Sequence, residues 1–268
     1  MPSYVVTGAA RGIGLEFVKQ LSADGQNDVF ALVRNKTTAT HLTALARNNI
    51  VVLEADVTDA KALNLAAAEV SKTTGGKLDY LINNAGGSNS LGITITELQV
   101  FPNPEAIEED LLYNFKLNVV SVVHSINAFL PLLKSGTAKK VVSISSGLGD
   151  LDFTLQADST AQPSYSVAKA ALNMVVAKFA VELKSEGFVF LALSPGVVNT
   201  SSTAVSAPSE KTIEEMKRLG GAIMKVVPEF KGPLKPEESV RMQLEVIHRW
   251  TVEDSGAFVS HLGNKQWV

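Results

Sequence analysis

The 268-residue chain contains no cysteine. That excludes disulfides, thiolate metal sites and thiol nucleophiles together, and it suits an intracellular protein. An excess of basic residues is also missing. Lys and Arg total 24 against 27 Asp and Glu, for a net charge of -3 and a pI near 5.9, so no footprint for nucleic acid is present. No apolar run approaches the ~18 residues of a membrane span. The start, Met1-Pro2-Ser3-Tyr4-Val5-Val6-Thr7-Gly8, has no basic segment followed by a long apolar core, so no signal peptide is read. A soluble, cytoplasmic protein with no metal site, nucleic-acid partner or membrane partner is expected. Internal repeats, low-complexity tracts and linkers are lacking too, which leaves residues 1–268 as one expected domain. At 46% hydrophobic and 19% charged, the composition is ordinary for a soluble domain with a substantial core.

What is present is an alternation. Short apolar, β-branched runs at 3–7, 28–33, 50–54, 78–82, 140–145, 188–193 and 257–260 read as strands covered on both faces. Helical patterns at 12–23, 36–47, 60–72, 105–133, 164–186 and 236–250 lie between them. This order predicts a doubly wound α/β fold, a parallel sheet of about seven strands with right-handed crossovers. Two stretches break the rhythm: a polar loop at 147–162, and an excursion at 200–236 with a short helix pattern at 209–224. Both follow strand ends, where open α/β sheets bind ligands, so both are candidate pocket walls and 200–236 a substrate lid.

Thr7-Gly8-Ala9-Ala10-Arg11-Gly12-Ile13-Gly14 lies between the first strand and the first helix. Glycines there permit a tight turn and close approach of backbone to a phosphate, and the helix start favours an anion. Instead of an acid for a ribose hydroxyl, the second strand ends in Val33-Arg34-Asn35. Arg34, helped by Arg11, suits a 2′-phosphate, which points to NADP(H). Asp56 stands where it can accept a hydrogen bond from an adenine amino group or cap the following helix. Tyr165 and Lys169, four residues apart, share one helix face. A phenol ionises near pH ~10, and a neighbouring ammonium lowers that value, so the pair is a candidate proton donor and acceptor.

Together these motifs resemble the short-chain dehydrogenase/reductase family over nearly the whole chain. Thr7 to Gly14 meets its Gly-rich signature, and Asn83-Asn84-Ala85-Gly86 its Asn-Asn-Ala-Gly element. Asn118 matches the helix asparagine, Ser146-Gly147-Leu148-Gly149 the serine region, Tyr165/Lys169 the Tyr-x-x-x-Lys pair, and Ser194-Pro195-Gly196-Val197-Val198-Asn199-Thr200 the Pro-Gly segment. Small fungal and bacterial ketoreductases similar to norsolorinic acid reductase are the branch it resembles.

The resemblance implies a Rossmann-type three-layer sandwich binding NADP(H). Its implied contacts are Gly8, Arg11, Gly12, Ile13, Gly14 and Arg34, then Asp56, Val57, Asn84, Ala85 and Gly86, and finally Tyr165, Lys169, Pro195, Gly196, Val198 and Thr200. It also implies reduction of a ketone or aldehyde, or the reverse. Tyr165 would act as general acid or base, Lys169 would lower its pKa and hold ribose hydroxyls, Ser146 would bind the substrate oxygen, and Asn118 would link Lys169 to solvent through water. The family commonly places the serine about thirteen positions before the tyrosine; here Ser146 precedes Tyr165 by nineteen. Ser145 and Ser143 stay open as alternatives, and the extra residues fall at 150–162. A non-redox enzyme using NADP, such as an isomerase or cyclase, and a non-catalytic cofactor-binding regulator are the other readings. Leu91, Ile93, Phe153 and Leu155, with 200–236, suggest a hydrophobic carbonyl substrate. Family members often pair through the helices carrying Asn118 and Tyr165, so a homodimer or homotetramer is expected.

Overall fold

The computed structural model describes residues 1–88, 98 and 104–268; Leu91 and Ile93 lie outside them. Along the chain run β1 (Ser3–Thr7), α1 (Gly12–Leu21), β2 (Asp28–Val33), α2 (Thr40–Thr43), β3 (Ile50–Glu54), α3 (Ala60–Thr74) and β4 (Tyr80–Asn83). Then follow α4 (Pro104–Phe115), α5 (Ser121–Ser135), β5 (Lys140–Ile144), α6 (Leu151–Gln156), α7 (Pro163–Glu182), β6 (Val189–Ser194), α8 (Glu210–Val226), α9 (Pro236–Arg249) and β7 (Ala257–Ser260). The strands form one seven-stranded sheet in the order β3-β2-β1-β4-β5-β6-β7, parallel throughout. The order reverses between β1 and β4, the place where open α/β sheets bind ligands in a crevice at the carboxyl ends.

Alternate strand residues feed two cores, as the period of two requires. Val5, Phe30, Leu32, Leu81, Val141 and Phe190 pack with Leu63 and Val70 of α3, Ile126 and Phe129 of α5, and Leu172 and Val176 of α7. On the other face Val6, Ala31, Ile82, Val142 and Leu193 pack with Phe17 and Val18 of α1 and Val240 and Ile247 of α9. These two layers make the sheet a three-layer sandwich.

Four departures from the expected elements have local causes. The pattern at 36–47 does not form one helix. Asn35 accepts from Thr37 N at 2.8 Å, a turn that competes with helix, and only the 3₁₀ turn Lys36–Thr38 and α2 form. The expected polar loop at 147–162 contains the 3₁₀ turn Gly147–Gly149 and α6, because Asp150 caps α6 through Phe153 N at 2.9 Å and Phe153 is buried. The long pattern at 105–133 is interrupted by a π-helical turn, Lys116–Val120. Finally, the stretch Glu105–Ser135 is long and apolar enough to cross a membrane by length and composition, its most apolar window having a mean hydropathy of 1.3, contrary to the expectation of no such run. Half of its most apolar window is buried within the fold, as in a core helix.

Candidate active site

The crevice begins at the Gly-rich turn. Gly8 takes φ +68°, and a Cβ there would stand 2.8 Å from the Ala85 Cα. A Cβ on Gly14 would run into the Asn84 amide and the Gly8 carbonyl. Thr7 Oγ1 accepts from the backbone N–H of Asn84 and of Ala85, both at 3.0 Å, while Asn84 Nδ2 donates to the Thr7 carbonyl at 2.9 Å. The end of β4 and the turn after β1 are thereby tied into one surface. Arg11 and Arg34 are exposed beside it. Burial pushes the Asp56 carboxyl up, but Thr58, Arg34 and Lys116 outweigh it and hold the pKa below the usual range. Asp56 accepts from Thr58 N at 2.8 Å and from its hydroxyl at 2.7 Å. It does not cap α3; Asp59 does, through Lys61 N and Ala62 N.

The far side of the crevice comes from β5, α7 and the π-helical turn. Asn118 is fully buried. Its amide donates to the Gly87 and Asn114 carbonyls, both at 3.0 Å, and accepts from Gly87 N at 3.1 Å. Lys169, 4% exposed, donates to the Ile144 carbonyl at 2.7 Å and lies 5.4 Å from the centroid of the Tyr165 ring. A Cβ on Gly86 would stand 2.8 Å from Asn118 Oδ1 and 3.4 Å from Lys169 Nζ, so only glycine lets this strand end meet both. Ser146 lies near enough to the Tyr165 phenol to pull its pKa down, and it accepts from Leu148 N at 3.2 Å. Of the alternatives, Ser145 donates to Asn173 Oδ1 at 2.6 Å and the buried Ser143 hydroxyl has no partner among the described residues.

The electrostatics differ from the expectation. Burial pushes the Tyr165 phenol up to about 12, with the Ser146 side chain pulling the other way. Burial alone brings the Lys169 ammonium down to about 7. A phenol lowered by a neighbouring ammonium is therefore not what this arrangement holds. The dry surroundings drive each group toward its neutral form.

Comparison with known proteins agrees with this architecture. The family model described as short chain dehydrogenase matches residues 3–211. The chain belongs to the short-chain dehydrogenase/reductase family. Among its relatives are the short-chain dehydrogenase/reductase AacuF of Aspergillus aculeatus, 46% identical over 274 residues, and the short chain dehydrogenase virK of Hypocrea virens, 41% identical over 276. Each alignment covers 100% of both chains. The NADPH-bound carbonyl reductase from chicken fatty liver is similar at 28% identity and a TM-score of 0.76. The carbonyl reductase Sniffer of D. melanogaster is similar at 25% and 0.77, and both structural alignments cover 98% of each chain. This short-chain dehydrogenase/reductase is thus an oxidoreductase with a Rossmann-type fold.

In this short-chain dehydrogenase/reductase the Pro-Gly segment closes the crevice from β6. Gly196 takes φ +78°, and a Cβ there would stand 2.8 Å from His261 Cε1. Val198 bridges Leu234, with Asn199 N donating to the Leu234 carbonyl at 2.9 Å and Leu234 N to the Val197 carbonyl at 2.8 Å, so the excursion is tied at its base. Thr200 packs against Gly12. Ile13 is partly buried and Val57 is buried.

Several contacts carried no sequence signal. Thr203 Oγ1 accepts from Gly12 N, the first amide of α1, at 2.9 Å. Trp267 stacks on Phe258 with centroids 4.3 Å apart and sits so close to Gly147 that a Cβ there would stand 2.6 Å from the Trp267 Cβ. Phe153, Ala157, Ala222, Ile223 and Trp267 form a third apolar cluster, and Tyr165 packs against it. Helix α6, helix α8 and the carboxyl terminus, remote in sequence, therefore meet beside the tyrosine.

Proposed function

We propose that the protein is an NADP(H)-dependent reductase of a ketone or aldehyde, also able to run the reverse reaction, with Tyr165 as the proton donor. The observation that carries it is the gathering of Ser146, Tyr165 and Lys169 at the end of the sheet, beside the glycine-rich turn. A dinucleotide fits that crevice: Gly8, Gly12, Ile13 and Gly14 leave room for a pyrophosphate, and Arg11 and Arg34 suit a 2′-phosphate. Asp56 and Val57 would flank the adenine. Asn84, Ala85, Gly86, Pro195, Gly196, Val198 and Thr200 would line the nicotinamide half. When bound, a reduced nicotinamide supplies a hydride for the carbonyl carbon.

The residues supply the rest. Tyr165 gives its hydroxyl proton to the substrate oxygen, and a phenol held near 12 is protonated and ready to do so at neutral pH. Ser146 donates to the same oxygen and steadies the charge growing there. Lys169, poised at about 7, can pass a proton toward Tyr165, and Asn118 holds the strand end against which Lys169 rests. The segment 200–236 is the lid of this single domain and keeps water from the site. A cytoplasmic location belongs to the same reading, resting on the cysteine-free composition.

Purified protein should oxidise NADPH with members of an aldehyde and ketone panel. Tyr165→Phe should lower turnover by at least about 10²-fold, the low end for general acid catalysis, while NADPH binding, followed by its fluorescence, holds. Unchanged turnover in that variant contradicts the mechanism. NADH binding as tightly as NADPH contradicts the role of Arg34. The assembly proposed is a homodimer or homotetramer. Val167, Met174 and Val181 form an exposed stripe on α7, and Leu112 and Phe115 are exposed on α4. Light scattering that finds a monomer overturns this part.

A further inference from the structure

The inner face of the lid helix carries a group that the reduction does not use. Leu219, Ala222, Ile223 and Val226 of α8 pack toward the cluster that holds Tyr165. One turn before Leu219, on the same face by helical spacing, stands Glu215. It is 5% exposed, and neither carboxylate oxygen has a hydrogen-bond partner among the described residues. Arg218 Nη1 stands 3.5 Å from its Oε1. Burial pushes its pKa up, with Arg218 opposing. A buried carboxylate short of donors is costly, by roughly 1–3 kcal/mol or more, and such a group calls for a further partner.

The opposite wall holds further unpartnered polar atoms. Arg218 Nη2 donates to Thr160 Oγ1 at 2.7 Å, and Lys225 pairs with Asp158 at 3.2 Å, so α8 is seated on the segment that leads into α7. The hydroxyls of Ser159 and Ser164, on either side of Thr160 and one residue before Tyr165 in the latter case, are buried and have no partner among the described residues. Acceptors and hydroxyls thus fall on both sides of one junction, next to the apolar cluster.

We propose that Glu215 is a specificity-determining residue that accepts a hydrogen bond from a hydroxyl group of the substrate, remote from the reacting carbonyl. The substrate class is then a hydroxylated, largely apolar ketone: its rings or chains meet Phe153, Ile223 and Trp267, and its hydroxyl meets Glu215. This deepens the reductase reading and rests on it. A site built to bind a hydroxyl discriminates strongly against the analogue that lacks it, because its own polar atoms are then left unpaired.

The test is calorimetric titration of the NADP⁺-saturated protein with 1-tetralone and with its ring-hydroxylated counterparts. At least one hydroxylated ketone should bind about tenfold tighter than the parent. Glu215→Leu should reduce that gain to about twofold or less while the parent ketone keeps its affinity. A merely structural role would shift both ketones together. Should Glu215→Leu not fold, the isosteric Glu215→Gln decides: a gain cut about threefold or more supports the role, and an unchanged gain overturns it. No hydroxylated ketone gaining over its parent in the wild type overturns it too. NADPH oxidation with the same ketones is measured in parallel. Donor-selective binding without turnover breaks the reductase reading and leaves Glu215 standing, whereas turnover without donor selectivity breaks only the role of Glu215.

Discussion

The two sides of the crevice are built by different physics. The side made by β1, α1 and the end of β4 is backbone: positive φ at Gly8 and Gly12, amides gathered on Thr7 Oγ1, and glycines that let chains touch. The side made by α6, α8 and the carboxyl terminus is side-chain packing, an apolar cluster of residues drawn from positions 148 to 268. A backbone site serves a ligand part that is the same for every enzyme of this kind. A packed cluster can be recut by substitution, so it is the side that suits a particular substrate.

Substitutions should keep the two sides apart. The largest effect belongs to Trp267→Ala. The ring is 6% exposed, and truncating it should cost about 3–5 kcal/mol of stability. Urea denaturation should show that loss, while NADPH affinity of the folded fraction stays within a few-fold; a collapse of NADPH affinity would mean the sides are coupled. Gly8→Ala should do the reverse. The left-handed backbone costs about 1–2 kcal/mol and the press against Ala85 about 1–3 more, and fluorescence titration should find NADPH binding weakened while apolar ligands still bind the cluster.

A third substitution reads the boundary between them. The folded pKa of Lys169, about 7, lies below the ordinary lysine value of 10.5. Between those values the folded state binds fewer protons than the unfolded chain, so this residue makes stability rise with pH across that window. Lys169→Met should remove up to about 1.4 kcal/mol per pH unit of that slope. Urea midpoints of both proteins from pH 7 to 10 check it, and parallel curves would show that Lys169 is not desolvated. The smallest effect is expected from Asp158→Asn. Both partners of its pair with Lys225 are exposed, so stability should change by about 0–1 kcal/mol; a larger loss would show that the lid is latched there instead of by the apolar cluster.

Legibility in the sequence followed the same division. The strands at 3–7, 28–33, 50–54 and 257–260 stand where apolar β-branched runs placed them, because a strand buried on both faces has a local signature. The Gly-rich turn and the Tyr165–Lys169 spacing were readable for a similar reason: each is set within one turn or one helix. The stretches at 36–47 and 147–162 were misread. Side-chain capping by Asn35 and Asp150 decided them, together with the burial of Phe153 by residues far along the chain.

By itself, then, the sequence determined the order of strands and helices, the positions of glycines where a Cβ has no space, and the presence of Tyr165 and Lys169 on one helix face. These rest on interactions between near neighbours, which short patterns encode. Only the tertiary structure decided that Ser145 is taken up by Asn173, and that burial, more than mutual charge, sets the protonation of Tyr165 and Lys169. It alone brought Trp267 onto Gly147, Thr203 onto the start of α1 and Glu215 to the inner face of α8. Desolvation and close packing depend on every atom that surrounds a group, and no local pattern records those atoms.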